Sequence, residues 1–131
     1  MRNAISIGPL VLVGVPQARL LPPRAFRPHN RRYGAIKVLA VVTGREEVTV
    51  TVARNDRRTF ALLYDPNARA NKNGFLFSSG NYQVTFEACG DTSLNYNGGF
   101  IARQPTCAML HVDTATSSQS GSLTVGEGSC P

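Results

Sequence analysis

Residues 82–112, YQVTFEACGDTSLNYNGGFIARQPTCAMLHV, decide the fold class. The stretch opens with strict period two: Tyr82, Val84 and Phe86 fall on one face, Gln83, Thr85 and Glu87 on the other. That is the pattern of a half-buried strand. It breaks at Cys89-Gly90-Asp91, turns again at Asn97-Gly98-Gly99, and closes on a second alternation at Ala108, Leu110 and Val112. Cys89 and Cys107 stand at the inner ends, on the parity of the polar positions, where two neighbouring strands would be stapled. The stretch reads as antiparallel β with a disulfide and carries no recognisable chemistry.

Outward from it, the same patterning recurs. Val48, Val50 and Val52 alternate with Thr49 and Thr51, and Thr59 to Tyr64 continues after a turn at Asn55-Asp56. Residues 35–43, AIKVLAVVT, are β-branched and apolar on both faces, the signature of a central strand. Ala4 to Val15 reads as one or two short strands, Phe75 to Phe77 as a short edge strand, and Leu123 with Val125 as the last strand. Thr114 to Ser122 is Ser/Thr/Gly-rich and reads as a connection. Pro16 to Arg32 interleaves four prolines with arginines. Proline removes ladder donors and restricts the residue before it, so this segment is an extended crossover. The expectation is a single domain over residues 1–131, an all-β antiparallel β-sandwich (immunoglobulin-like or related) of about seven to nine short strands. No fixed-length repeat and no helical periodicity over a dozen residues compete with it.

At 131 residues the chain is long enough for one core without metals. Its net charge of +6 is unevenly held. Residues 1–45 carry eight basic and no acidic side chains; residues 46–131 carry six basic and eight acidic. The halves are thus +8 and −2. Such a basic third points to an anionic partner, whether nucleic acid, lipid head groups or an envelope polymer, or to a partner protein. Arg19, Arg24, Arg27, Arg31 and Arg32 are the candidate contacts. Phe26 and Tyr33 among them admit a grip on single-stranded nucleic acid, but no nucleic-acid-binding motif is present. The competing reading is a solvated loop with its aromatics anchored in the core.

Three cysteines in a short β-rich chain favour an oxidising compartment. A Cys89–Cys107 bridge would stabilise the fold by roughly 3 kcal/mol. Cys130 is an alternative partner for either cysteine, or a cross-link in a homodimer. No C-x-x-C occurs, and His29 and His111 lie in unrelated segments, so no structural zinc is expected. Asp65, Asn67, Asn71 and Asn73 share a loop but miss the calcium-loop spacing. His111 alternates with Leu110 and Val112 as a surface histidine, and no Gly-x-Ser-x-Gly, Gly-x-Gly-x-x-Gly or P-loop appears. Neither catalytic residues nor a cofactor is expected. No run of about 18 apolar residues occurs. Gly8-Pro9 and Gly14 interrupt the only leader-like stretch, so export would rest on a leader removed ahead of Met1.

Ile7-Gly8-Pro9-Leu10, Lys37-Val38, Val48 to Val52, Phe86-Glu87-Ala88-Cys89, Gly98-Gly99-Phe100 and Pro105-Thr106-Cys107 occur in an order with a known likeness. The chain resembles an uncharacterised family of small exported or membrane-anchored proteins of high-GC Gram-positive bacteria, with one β-rich domain behind a signal or membrane segment. The resemblance implies an extracytoplasmic domain bridged through Cys89 and Cys107, and no assigned activity. The expected function is a non-catalytic, extracytoplasmic binding or structural module of the cell envelope. One alternative is a hydrolase of a wall or surface polymer using loop carboxylates such as Asp65, Glu87 or Asp91. Another is a cytosolic nucleic-acid-binding protein.

Overall fold

The computed structural model describes residues 4–14, 34–65, 80–88, 90, 92–104 and 106–125. Apart from a 3-10 turn at Arg54–Asp56, every regular element among them is a strand. In chain order these are β1 (Ala4–Ile7), β2 (Leu10–Val13), β3 (Gly34–Lys37), β4 (Leu39–Val42), β5 (Val48–Val52) and β6 (Phe60–Leu63). There follow β7 (Gln83–Phe86), β8 (Leu94–Tyr96), β9 (Gly99–Ala102), β10 (Thr106–Asp113) and β11 (Ser118–Val125). They form three antiparallel sheets, ordered β1-β2-β4-β8, β3-β9-β6 and β11-β10-β5-β7. The all-β antiparallel class expected from the period-two runs is the class the chain adopts.

The alternation works as read in β5, where Val48, Val50 and Val52 are buried and Thr49 and Thr51 are half-buried on the other face. That other face is polar and tied across strands: the Thr49 and Thr85 hydroxyls lie 3.0 Å apart, and the Gln83 amide donates to Thr51 at 3.0 Å. The inner faces of all three sheets meet in one core. Ile7, Leu10 and Leu12 come from the first sheet, Phe60, Leu62 and Phe100 from the second, and Val50, Leu110, Val112 and Leu123 from the third. Each fully buried side chain of this size contributes roughly 1.5–3 kcal/mol, so the shared core is what holds the three sheets together.

Residues 35–43, expected as a single strand, are a bent one. The run leaves one sheet at Val38 and joins another, and residues 94–102 bend with it at Asn97-Gly98. Lys37 faces Gly99 and Ala40 faces Tyr96, so one antiparallel register runs through both sheets. At the bend the Val38 amide donates to the Gly98 carbonyl (3.0 Å). Tyr64 fills the inside of the corner: its hydroxyl donates to the Val38 carbonyl at 2.7 Å, and its ring meets Phe86 edge-on, centroids 5.3 Å apart. A Cβ at Gly98 would collide with the Tyr64 ring and the Leu63 carbonyl, so the corner closes only around a glycine. Counting each bent run as one strand turns the eleven strands into nine, the upper end of the expected number.

Three expectations are corrected. Ser118 to Ser122 is strand, not connection: it pairs residue by residue with β10, from Asp113↔Ser118 onward. Tyr82 is not a core residue; β7 begins at Gln83, and Tyr82 is 43% exposed at the rim. The strands that flank the two cysteines are not neighbours, because β5 lies between β7 and β10. Thr85 and Asp113 both face Thr49, so β7 and β10 run the same way. Cys107 therefore enters β10 at one end of the sheet, and Phe86 leaves β7 towards the other. The Pro16–Arg32 crossover and the Phe75–Phe77 strand lie outside the described residues.

Candidate functional site

The five candidate arginines, Arg19, Arg24, Arg27, Arg31 and Arg32, lie outside the described residues, as do His29, Cys89, Asp91 and Cys130. Of the acidic-loop candidates for calcium, Asn67, Asn71 and Asn73 also fall outside. No group of three or more His, Cys, Asp or Glu among the described residues is placed to hold a metal. No helix among them is long and apolar enough to cross a membrane.

A different set of arginines gathers where β5 ends. There the chain tightens into the 3-10 turn, with the Asp56 amide donating to the Ala53 carbonyl (2.9 Å). The Asp56 carboxylate accepts the Met109 amide of β10 at 2.9 Å, which fastens the turn to the sheet. Arg57 follows: its Nε donates to the Val52 carbonyl (3.1 Å), and its guanidinium sits 5.5 Å from the centroid of the Tyr82 ring. That is cation–π distance. Arg58 is exposed beside it. Arg103, just past β9, donates its backbone amide to the Thr59 carbonyl (2.9 Å), and the Thr59 and Thr106 hydroxyls lie 3.3 Å apart beneath.

Arg57, Arg58, Arg103 and Tyr82 thus surround an open cleft of about 390 Å³. Guanidinium forks bind carboxylate, phosphate or sulfate oxygens in pairs, and the exposed tyrosine adds a flat apolar face. Such an arrangement can hold an anion.

Sequence reasoning passed over this cluster. The local signal was the Arg57-Arg58 pair after a turn, hidden because residues 46–131 are net acidic. Arg103 is 45 positions away from Arg58, and no sequence pattern links them.

A second cleft, of about 670 Å³, runs along β7, with Tyr64 and Tyr96 among its lining residues. Asp65 and Glu87, two of the three carboxylates considered for a hydrolase, both line it. The Tyr96 hydroxyl donates to the Glu87 carbonyl (2.8 Å). Glu46, by contrast, serves as a clamp. Hydrogen bonds from Thr114 and Thr116 hold its carboxyl below the usual carboxylate range, and the Thr116 hydroxyl sits 2.8 and 3.0 Å from its two oxygens. This ties the loop before β5 to the β10–β11 turn. His111 faces its register partner Ser120 across the same hairpin, with Nδ1 2.8 Å from the hydroxyl, as befits a surface histidine.

Cys107 is half-buried in β10, off the core face as its parity required, and it is disulfide-bonded. No family model, curated protein or solved structure matches the chain.

Proposed function

We propose that this protein is a non-catalytic binding module of the cell envelope, working outside the cytoplasm and meeting an anionic partner through its arginines. The observation that carries the reading is the convergence of Arg57, Arg58 and Arg103 with Tyr82 around one open cleft. The +8 charge of residues 1–45 adds to it, and the resemblance to small exported proteins points the same way. A disulfide-bonded Cys107 supports an oxidising compartment, since cytosolic thiols are kept reduced. An anionic envelope polymer or lipid head groups are the partners this charge fits.

Sedimentation with phosphatidylglycerol vesicles and, separately, with polyphosphate tests the reading and separates the two sources of negative charge. An arginine near an anionic membrane surface contributes about 1 kcal/mol, so removing two weakens binding by about 2 kcal/mol, roughly 30-fold. The R58S/R103S double variant should therefore lose that much vesicle binding, with far-UV circular dichroism unchanged to show that the fold is kept. A parent protein that sediments with neither probe at low salt refutes the proposal.

The hydrolase reading has one observation in its favour, that Asp65 and Glu87 line one cleft. It requires the two carboxyls to meet across a scissile bond, about 5–10 Å apart, with one of them protonated. Release of reducing ends from a wall polysaccharide, abolished in E87Q, would establish it in place of the binding reading.

A further inference from the structure

The end of the sheet β11-β10-β5-β7 that carries the arginine cleft also holds apolar side chains out to solvent. Tyr82 and Met109, 43% and 39% exposed, are the exposed large hydrophobic side chains among the described residues. The ladder puts them at one level. The Val52 amide donates to the Tyr82 carbonyl (2.8 Å) and the Ala53 amide to the Met109 carbonyl (2.9 Å), so the pair flanks the end of β5 on its two sides. Two strand spacings set their backbones about 10 Å apart. Met109 has the parity of His111, away from the core. Tyr82 lies at the rim, its ring under the Arg57 guanidinium.

Charge along the sheet is graded in the same direction. Arg54, Arg57 and Arg58 follow β5, and Arg103 lines the cleft beside them. Asp56 is the one acidic residue of that turn, and its carboxylate accepts the Met109 amide. At the opposite end Glu46 and Glu47 precede β5, Glu87 follows β7 and Asp113 ends β10, with Arg45 as the one basic residue beside them. Among these residues the two ends are therefore +3 and −3, set apart by the five residues of β5, about 17 Å. Such a molecule turns its arginine end to a negative surface. A soluble polyanion would use the arginines and leave Tyr82 and Met109 in water. An anionic bilayer uses both: its phosphates meet the guanidinium groups, while a thioether and a phenol ring enter the boundary between head groups and acyl chains. We infer that this end of the sheet docks end-on upon an anionic lipid bilayer, with Met109 and Tyr82 inserted among the head groups. The inference rests on the proposed anion binding by the arginine cleft, and adds which anion it meets and which side chains besides the arginines make the contact.

The chain has no tryptophan, so a single one placed at Met109 reports on its own surroundings. M109W mixed with phosphatidylglycerol vesicles should shift its emission to the blue and be quenched by phosphatidylglycerol brominated on its acyl chains. S118W is the control, because Ser118 is exposed at the acidic end of the sheet, opposite Asp113; its emission should stay unshifted and unquenched. M109S should weaken vesicle binding about fourfold or more, the effect of withdrawing one methylene from the lipid, and should bind polyphosphate as the parent does. Should M109W not fold, Y82W makes the same measurement on the other side of β5. Vesicle binding without any shift in the reporter's emission would overturn the inference and leave the arginine cleft an anion site. So would equal quenching of S118W, undiminished vesicle binding by M109S, or a parent that sediments with polyphosphate and not with vesicles. A parent that sediments with neither overturns both.

Discussion

Replacing Cys130 with serine should break the disulfide at Cys107, and replacing Cys89 should leave it intact. The argument is one of reach. Thr85 and Asp113 both face Thr49, so they stand level on either side of β5. Phe86 is one residue further along, and Cys107 lies six residues before Asp113, which puts the two about seven residues, or roughly 23 Å, apart along the sheet. Two inter-strand spacings add about 10 Å sideways. The three residues from Phe86 to Cys89 span at most about 11 Å, so even a full reversal leaves a gap beyond the roughly 7 Å Cα separation a disulfide tolerates. Cys107 instead faces Thr124 on β11, and the six residues from Thr124 to Cys130 reach up to about 20 Å. The loop closed between Cys107 and Cys130 holds some two dozen residues, for which chain entropy gives about 3 kcal/mol. In a domain of this size that corresponds to a fall of roughly 10–15 °C in Tm for C130S, and C89S should show almost none of it. The assay is decisive because no lysine or arginine follows Arg103. A non-reduced tryptic digest should yield peptide 104–131 alone, lighter by two hydrogens, with Cys89 alkylated on peptide 73–103. A cross-link joining those two peptides would refute the reasoning, and a linked pair of 104–131 peptides would replace it with a homodimer.

Two further outcomes test the corner of the fold. G98A should cost about 3 kcal/mol by urea unfolding, because its methyl meets the Tyr64 ring and the Leu63 carbonyl. G44A should cost only about 1–2 kcal/mol, since Gly44 has a φ of 95° but nothing within 4 Å of the added carbon; equal costs would deny that the corner is close-packed. Burial pushes the Tyr64 phenol upward. Its contribution to stability is therefore whole below the ordinary tyrosine pKa of about 10 and declines as pH rises beyond it. Y64F should lower stability at neutral pH by about 1–3 kcal/mol, leaving the Val38 carbonyl unpaired, and should flatten the loss above about pH 10. An unchanged slope in Y64F would mean another group governs the alkaline limb.

What was legible in the sequence is what short-range patterning can encode. Val48 to Val52 and Ala108 to Val112 declare both their strand character and their buried face, since each carries apolar side chains at every second position. The parity of Cys107 was readable for the same reason. β11 escaped because Ser118 to Ser122 carries no apolar side chain, and only Leu123 and Val125 send side chains into the core. Its strand character is imposed by the ladder with β10. Residues 35–43 look like one central strand because they are β-branched and nearly all apolar. The bend at Val38 is set by Tyr64, 26 positions away, through the hydroxyl it donates there. Tyr82 had the parity of a core residue, yet the strand starts one residue later and its ring lies under Arg57 instead. The arginine cleft and the distance between the strands that flank the two cysteines both come from strand order: β6 beside β9 brings Arg103 to Thr59 and the Arg57-Arg58 turn, and β5 keeps β7 and β10 apart. Any antiparallel order satisfies the same alternation of apolar and polar positions, so period-two patterning is silent about which strand lies between which. In this chain the gathering of Arg103 with Arg57 and Arg58 depends on that choice.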